Sequence, residues 1–141
     1  MNFFQKNTIM SIEKLALTKE GGIREAMEKV KRYHLTLDFH GCNENTLADM
    51  DIFYDLLNKL PGEIGMKKLT MPYLMKGNYY PGITGFVVIE TSHISLHSFT
   101  ETKQLLIDVF SCQPYDPEKI EKELTAIFKP EKVIKNFLKS S

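Results

Sequence analysis

The chain has 141 residues, 43% hydrophobic and 26% charged, with 18 basic and 18 acidic side chains. Size and composition predict a soluble globular protein that folds without a disulfide or a metal. A formal net charge of zero gives no electrostatic reason to expect binding to nucleic acid or to an anionic membrane. No apolar run approaches a membrane span and no secretion signal is evident, so we expect a cytoplasmic protein in which Cys42 and Cys112 are reduced.

The order of elements predicts an α+β fold. Residues 1–30 show little pattern beyond one short helical stretch, and we expect an N-terminal extension there, followed by one domain over 31–141. In that domain, alternating apolar residues predict strands, and apolar residues at helical spacing predict helices. Helices that interrupt a mainly antiparallel sheet pack on one of its faces, which makes a two-layer sandwich.

The boundaries of these elements follow from turn and capping residues. The first helix is expected to begin at Asn45 or Thr46 and to be stopped by Pro61, and the second to begin at Asp116 with Pro117 in its first turn. The predicted strands cover residues 33–40, 67–74, 85–91, 93–99, 104–112 and 132–138.

Reactive side chains concentrate in the second half of the chain. His93 and His97 lie four residues apart on a predicted strand, Ser92 directly precedes them, and Cys112 ends the next strand. A hydroxyl, two imidazoles and a thiol can support covalent and acid–base catalysis. Each residue alone is more often a surface histidine or a core cysteine, so it is their concentration that favours chemistry.

Two other kinds of site fit these residues less well. Ligands four apart on a strand lie ~13 Å apart, too far for His93 and His97 to share a metal with Cys112 or His40, and we expect none. A serine hydrolase is disfavoured because Ser92 and His93 are strand neighbours that point to opposite faces, and no Gly-x-Ser-x-Gly turn surrounds Ser92.

This segment resembles the small bacterial and archaeal S-adenosylmethionine decarboxylases. Those enzymes carry Glu-Ser-His, a second histidine on the same strand, an aromatic-Pro-Glu sequence, and an aspartate-containing strand that ends in cysteine. The resemblance extends over about residues 32 to 138. The matching residues here are Thr84, Ser92, His93, His97, Phe99, Glu101, Asp108 and Cys112.

The resemblance implies an enzyme that makes a pyruvoyl cofactor from its own serine. Ser92 attacks the carbonyl of Thr91, the peptide becomes an ester, and elimination cuts the chain and leaves a pyruvoyl group derived from Ser92. Thr84 and His97 occupy the positions that assist this step in the family. The pyruvoyl ketone then accepts the electrons released when carbon dioxide leaves the substrate.

The resemblance also implies the substrate and its contacts. S-adenosylmethionine is decarboxylated to the aminopropyl donor of polyamine synthesis, with the adenine stacked on Phe99 and the ribose hydroxyls held by Glu101. Cys112 matches the acid that returns a proton to the α-carbon, because a thiol with an ordinary pKa of ~8.5 carries its proton at neutral pH. The resemblance to the small members of the family implies a dimer of processed protomers, so we expect a homodimer.

Two positions depart from the family. Thr91 replaces the glutamate before the serine and Thr100 replaces the proline, and we expect the lost carboxylate and the β-branched Thr91 to slow the acyl shift. Two alternatives therefore stay open: a pyruvoyl decarboxylase of another amino acid, and an unprocessed homologue that acts as a binding or regulatory subunit. Cleavage before Thr91 is disfavoured because only Ser92 keeps the family spacing to His97 and Cys112.

Overall fold

The structure is a computed structural model that describes residues 29–140, so the predicted N-terminal extension lies almost entirely outside the described residues. Within them, no helix is both long enough and apolar enough to cross a membrane. The elements described follow the chain as β1 (Arg32–His40), α1 (Glu44–Leu47), α2 (Met50–Glu63), β2 (Tyr73–Lys76), β3 (Ile83–Ile89), β4 (Ser92–Phe99), β5 (Gln104–Ser111), α3 (Pro117–Phe128) and β6 (Lys132–Ser140).

The strands form one antiparallel sheet in the order β2-β3-β4-β5-β1-β6. Along β1, β3, β4 and β5, buried residues alternate with more exposed ones, so these strands have one buried face. The helices supply the apolar side chains that cover this face, and we call the other one the open face. The predicted two-layer α+β sandwich is confirmed.

The core lies between the sheet and the two longer helices. Leu35 and Leu37 of β1 and Ile94 of β4 are fully buried in it, and each such side chain contributes about 1.5–3 kcal/mol relative to exposure. The ring of Phe53 in α2 meets that of Phe128 in α3 edge to face, with centroids 5.6 Å apart. The two helices therefore pack against each other as well as against the sheet.

The helices in the first half of the chain differ from the prediction. One helix was expected, but Asn43 caps α1 and Asp49 caps a separate α2. Pro61 does not stop α2, which runs on to Glu63. Pro61 is buried in the last turn and lacks the N–H that would bond to the preceding turn, but its carbonyl accepts a hydrogen bond from Met66 N–H at 2.8 Å. The predicted start of the second helix is confirmed, since Asp116 caps α3.

The strand predicted at 67–74 is wrong, because only Tyr73–Lys76 forms β2 and the segment before it makes one isolated pair between Lys68 and Ile89. Pro72 lacks an N–H and cannot continue a ladder. The boundary between β3 and β4 is also shifted. Ile89 pairs with Ser92, which leaves Glu90 and Thr91 as a two-residue turn.

Candidate active site

Ser92 is the first residue of β4, at one end of the sheet. Its side chain is only 8% exposed and shares the helix-covered face with Ile94. The Ser92 Oγ accepts a hydrogen bond from the backbone N–H of Cys112 at 3.1 Å. This contact follows from the antiparallel pairing of β4 with β5, which brings the end of β5 beside the start of β4. The side chain of the predicted nucleophile therefore contacts the backbone of the predicted acid.

The two cysteines occupy different environments. Cys112 is partly exposed just beyond the end of β5, whereas Cys42 is 2% exposed in the core. Burial raises the pKa of the Cys42 thiol to about 11. Because a buried thiol without access to substrate is unsuited to proton transfer, Cys112 is the cysteine whose position suits catalysis.

Thr84 and His97 form a second pair, on the open face. They are direct cross-strand partners between β3 and β4, and Thr84 Oγ1 lies 3.2 Å from His97 Nδ1. The next residue, Gly85, lies on the covered face, where a side chain would crowd the ends of Leu57 and Leu74. The two residues predicted to assist cleavage are thus in hydrogen-bonding contact.

A pocket adjoins this pair. It has a volume of about 250 Å³ and lies between the loop that carries Tyr79 and Tyr80 and the side chains of Thr84, His97 and Phe99. The rings of Tyr80 and Phe99 meet edge to face with centroids 6.5 Å apart. The aromatic walls give the pocket flat apolar surfaces, and the imidazole and hydroxyl provide polar contacts.

The predicted site residues fall into two groups at opposite ends of β4. We call Ser92 and Cys112 the serine end, and Thr84, His97, Phe99 and Glu101 the pocket end. Ser92 is five residues from His97 on the opposite face, ~16 Å along the strand, and ~23 Å from Phe99. Glu101 is exposed in the turn that follows β4. Within one chain, the two groups are too far apart to act on the same atoms.

A further cluster on the open face lies beside the serine end. Asp108 is 2.8 Å from His34 Nε2 and 3.6 Å from His93 Nε2, and the His93 ring stacks between Phe86 and Phe110. The alternating pattern in the sequence predicted that these residues lie on polar strand faces. It could not predict the cluster, because it does not show which strands are neighbours in the sheet. Among residues 29–140, no three His, Cys, Asp or Glu side chains are grouped so that they could hold a metal ion.

Comparison with known proteins agrees with this architecture. The family model for S-adenosylmethionine decarboxylase matches residues 33–140. The chain belongs to this family. A Clostridium botulinum S-adenosylmethionine decarboxylase proenzyme is 32% identical over 94 residues, which cover 65% of this chain and 78% of that protein. A Pyrococcus furiosus protein of the same name is 29% identical over 89 residues, or 62% of each chain.

A solved structure shares the fold. The adenosylmethionine decarboxylase from Aquifex aeolicus superposes with a TM-score of 0.64 and covers 79% of this chain and 91% of its own. At 21% sequence identity, this likeness supports the sandwich architecture of the family member described here.

Proposed function

We propose that this chain is the proenzyme of a pyruvoyl-dependent S-adenosylmethionine decarboxylase that cuts itself between Thr91 and Ser92. Family membership supports the decarboxylase activity. The observation that supports this cleavage site is the 3.1 Å contact between Ser92 Oγ and the N–H of Cys112, which joins the two residues of the family motif. The decarboxylated product would be the aminopropyl donor for polyamine synthesis.

Self-cleavage begins as an acyl shift at the serine end. The Oγ of Ser92 bonds to the carbonyl carbon of Thr91, the C–N bond between the two residues breaks, and the hydroxyl proton ends on the freed nitrogen. Residue 92 then loses its Cα proton and its Cβ–Oγ bond breaks, so Oγ leaves as part of the Thr91 carboxylate and the chains separate. The resulting double bond shifts to an imine, and water replaces the imine nitrogen, which leaves as ammonia and yields the ketone. Burial of Ser92 limits competing attack by water on the ester.

The residues at the serine end fit the pyruvoyl group that this sequence of steps produces. The group supplies the electron-accepting carbonyl that decarboxylation of an amino acid requires. The backbone N–H of Cys112 contacts Ser92 and its side chain is partly exposed, which supports a role for its thiol in returning a proton to the substrate carbon. A catalytic thiol must stay reduced, which supports a cytoplasmic location.

The pocket end supplies the groups that recognise the rest of the substrate. The Phe99 ring offers a flat surface for adenine, and the exposed Glu101 carboxylate can accept hydrogen bonds from ribose hydroxyls. Thr84 and His97 lie in the same pocket and can exchange a proton with a group bound there.

A homodimer brings the two ends together. In this dimer a two-fold axis runs between the two open faces and crosses β4 at right angles near its middle, so the two β4 strands are antiparallel. The strand end that carries Ser92 in one chain then lies over the pocket end of the other, while the Ser92 side chain itself points to the covered face. Sheets packed face to face lie ~10 Å apart, less than the separation within one chain. Exposed apolar side chains on the open face support this packing: Tyr73, Met75, Phe86, Leu106, Ile134 and Leu138.

Intact mass under denaturing conditions tests the cleavage. We expect two chains, residues 1–91 and 92–141, with the shorter one beginning in a pyruvoyl group. Ser92→Ala should stay whole, and Ser95→Ala, a matched change on the open face of the same strand, should cleave as the native chain does. A native chain that remains whole with Ser92 unmodified would contradict the proposal and favour a binding or regulatory subunit.

Carbon dioxide release identifies the substrate once cleavage is established. We expect release from carboxyl-labelled S-adenosylmethionine and none above background from free amino acids. If the processed protein decarboxylates another amino acid instead, the pyruvoyl chemistry stands and S-adenosylmethionine is not the substrate.

A further inference from the structure

Thr91, the residue before the proposed cleavage point, has an unusual backbone conformation. Its φ is +59°, and among the described residues the other non-glycine residues with positive φ are Lys103 and Lys129. A β-branched side chain at positive φ crowds its own backbone more than an unbranched one does. Two-residue hairpin turns normally place glycine, asparagine or aspartate at such positions. Thr91 is therefore strained.

The neighbours of Thr91 hold it in this conformation. Ile89 and Ser92 are paired across the hairpin, and the N–H of Glu90 donates to the carbonyl of Lys67 at 2.9 Å. On the other side, Ser92 Oγ accepts from the N–H of Cys112 at 3.1 Å. Thr91 thus lies between two anchored residues and cannot relax while the chain is continuous.

We propose that the strained backbone of Thr91 promotes self-cleavage at its own carbonyl, so that Thr91 is a positioning residue of the processing reaction. This inference rests on the proposed function. When the C–N bond to Ser92 breaks, Thr91 stays attached through an ester on the Ser92 side chain, which adds a freely rotating link, and after elimination it ends in a free carboxylate. The peptide link to Ser92 that closes the hairpin and imposes the positive φ on Thr91 is lost in these steps, so the strain is released as the reaction proceeds.

The sequence led us to expect that Thr91 slows self-cleavage, whereas the strain of its backbone would speed it. A β-branched residue at the carbonyl was expected to slow the acyl shift by crowding. The backbone conformation adds a contribution that the sequence does not reveal, because strain raises the free energy of the uncut chain while the transition state has begun to lose the constraint.

Two substitutions separate strain from the threonine hydroxyl. Thr91→Gly removes the steric cost of positive φ, and Thr91→Val keeps the β-branch without the hydroxyl. The full chain is made by cell-free synthesis, and the loss of precursor is timed on denaturing gels. We expect Thr91→Gly to cleave about tenfold more slowly than the native chain and Thr91→Val to stay within about twofold of it.

Stability of the uncut chain provides a second readout, measured by urea unfolding in the Ser92→Ala background. Thr91→Gly should raise the urea midpoint and lower the cleavage rate. Damage to the turn would instead lower both the midpoint and the rate. Lys129→Gly is the matched control, because it relieves a positive φ of +47° at the end of α3. It should also raise the midpoint while leaving the cleavage rate unchanged.

The outcomes distinguish this inference from the proposed function. A native chain that never cleaves overturns both. If the native chain cleaves and Thr91→Gly cleaves as fast, or if Thr91→Gly lowers the urea midpoint, strain is overturned and the proposed function stands. A Thr91→Val chain as slow as Thr91→Gly would assign the effect to the hydroxyl and overturn strain as well.

Discussion

The two cysteines differ in the properties that acid catalysis requires. The N–H of Cys112 contacts Ser92 Oγ and its side chain is partly exposed, whereas Cys42 packs in the core, where burial raises its pKa to about 11. Burial and the raised pKa both keep the Cys42 thiol from reacting, so an alkylating reagent should modify the partly exposed Cys112 first. The two thiols therefore provide a matched pair for testing which one transfers a proton.

Cys112→Ala should separate processing from turnover. Because the contact to Ser92 comes from the backbone N–H, the variant should still give two chains, but loss of a general acid should lower decarboxylation by about 10²- to 10⁴-fold. The measurements are a denaturing gel and carbon dioxide release. Cys42→Ala is the control and should retain both reactions with some loss of stability. Normal turnover by Cys112→Ala would remove the thiol from the mechanism.

Among the elements, the packing of β3 against α2 places Thr84 on the open face. Gly85, the next residue, lies on the covered face, where a Cβ would come within 2.7 Å of Leu57 Cδ1 and Leu74 Cδ2. By contrast, a Cβ on Gly62 in α2 would meet nothing within 4 Å. A side chain at Gly85 would thus displace its neighbours, whereas one at Gly62 would not.

Alanine at these two glycines should have opposite effects on stability. Gly85→Ala should lower the free energy of unfolding by about 1 kcal/mol because the Leu57 and Leu74 side chains must shift to make room. Gly62→Ala should raise it by about 0.5–1 kcal/mol through helix propensity. Urea unfolding in the Ser92→Ala background measures both. Equal effects of the two substitutions would show that β3 and α2 are not in close contact at Gly85.

For the whole molecule, the decisive feature is the separation of the serine end from the pocket end. The two groups lie at opposite ends and on opposite faces of β4, so one chain does not bring all the predicted site residues together. If both groups act in one reaction, each site must combine two chains. The open face, with its exposed apolar side chains, is the surface on which we expect the second copy.

Mixing two inactive variants should restore one site per dimer. Ser92→Ala alone cannot cleave, and His97→Ala alone should accumulate uncut or ester-linked precursor. In a co-expressed mixture, the strand end with the intact Ser92 of the second variant lies across the interface from the intact His97 of the first, so the His97→Ala chain should be cut. Analytical ultracentrifugation of the protein should give a molecular mass of about twice the 16.3 kDa of one chain. Absence of rescue, or normal cleavage by His97→Ala alone, would contradict a site shared between chains.

Local patterns in the sequence were sufficient for much of the fold. Alternation in β1 and β4 identified the buried faces, and Asp116 before Pro117 marked the start of α3, because a strand or a helix cap depends on residues close in sequence. The order of Ser92, His97 and Cys112 likewise indicated the family, since it is a property of spacing alone.

Other features depended on residues distant in sequence. Pro61 lies within the last turn of α2 although proline was expected to stop the helix. The turn at Thr91 is anchored by contacts of its neighbours to Lys67 and Cys112, and no glycine signalled it. Strand order brought His34 beside Asp108. Sequence spacing identified the chemical groups of the candidate site, but strand length and face determined that they lie at two ends of β4, because positions across a sheet are set by non-local pairing.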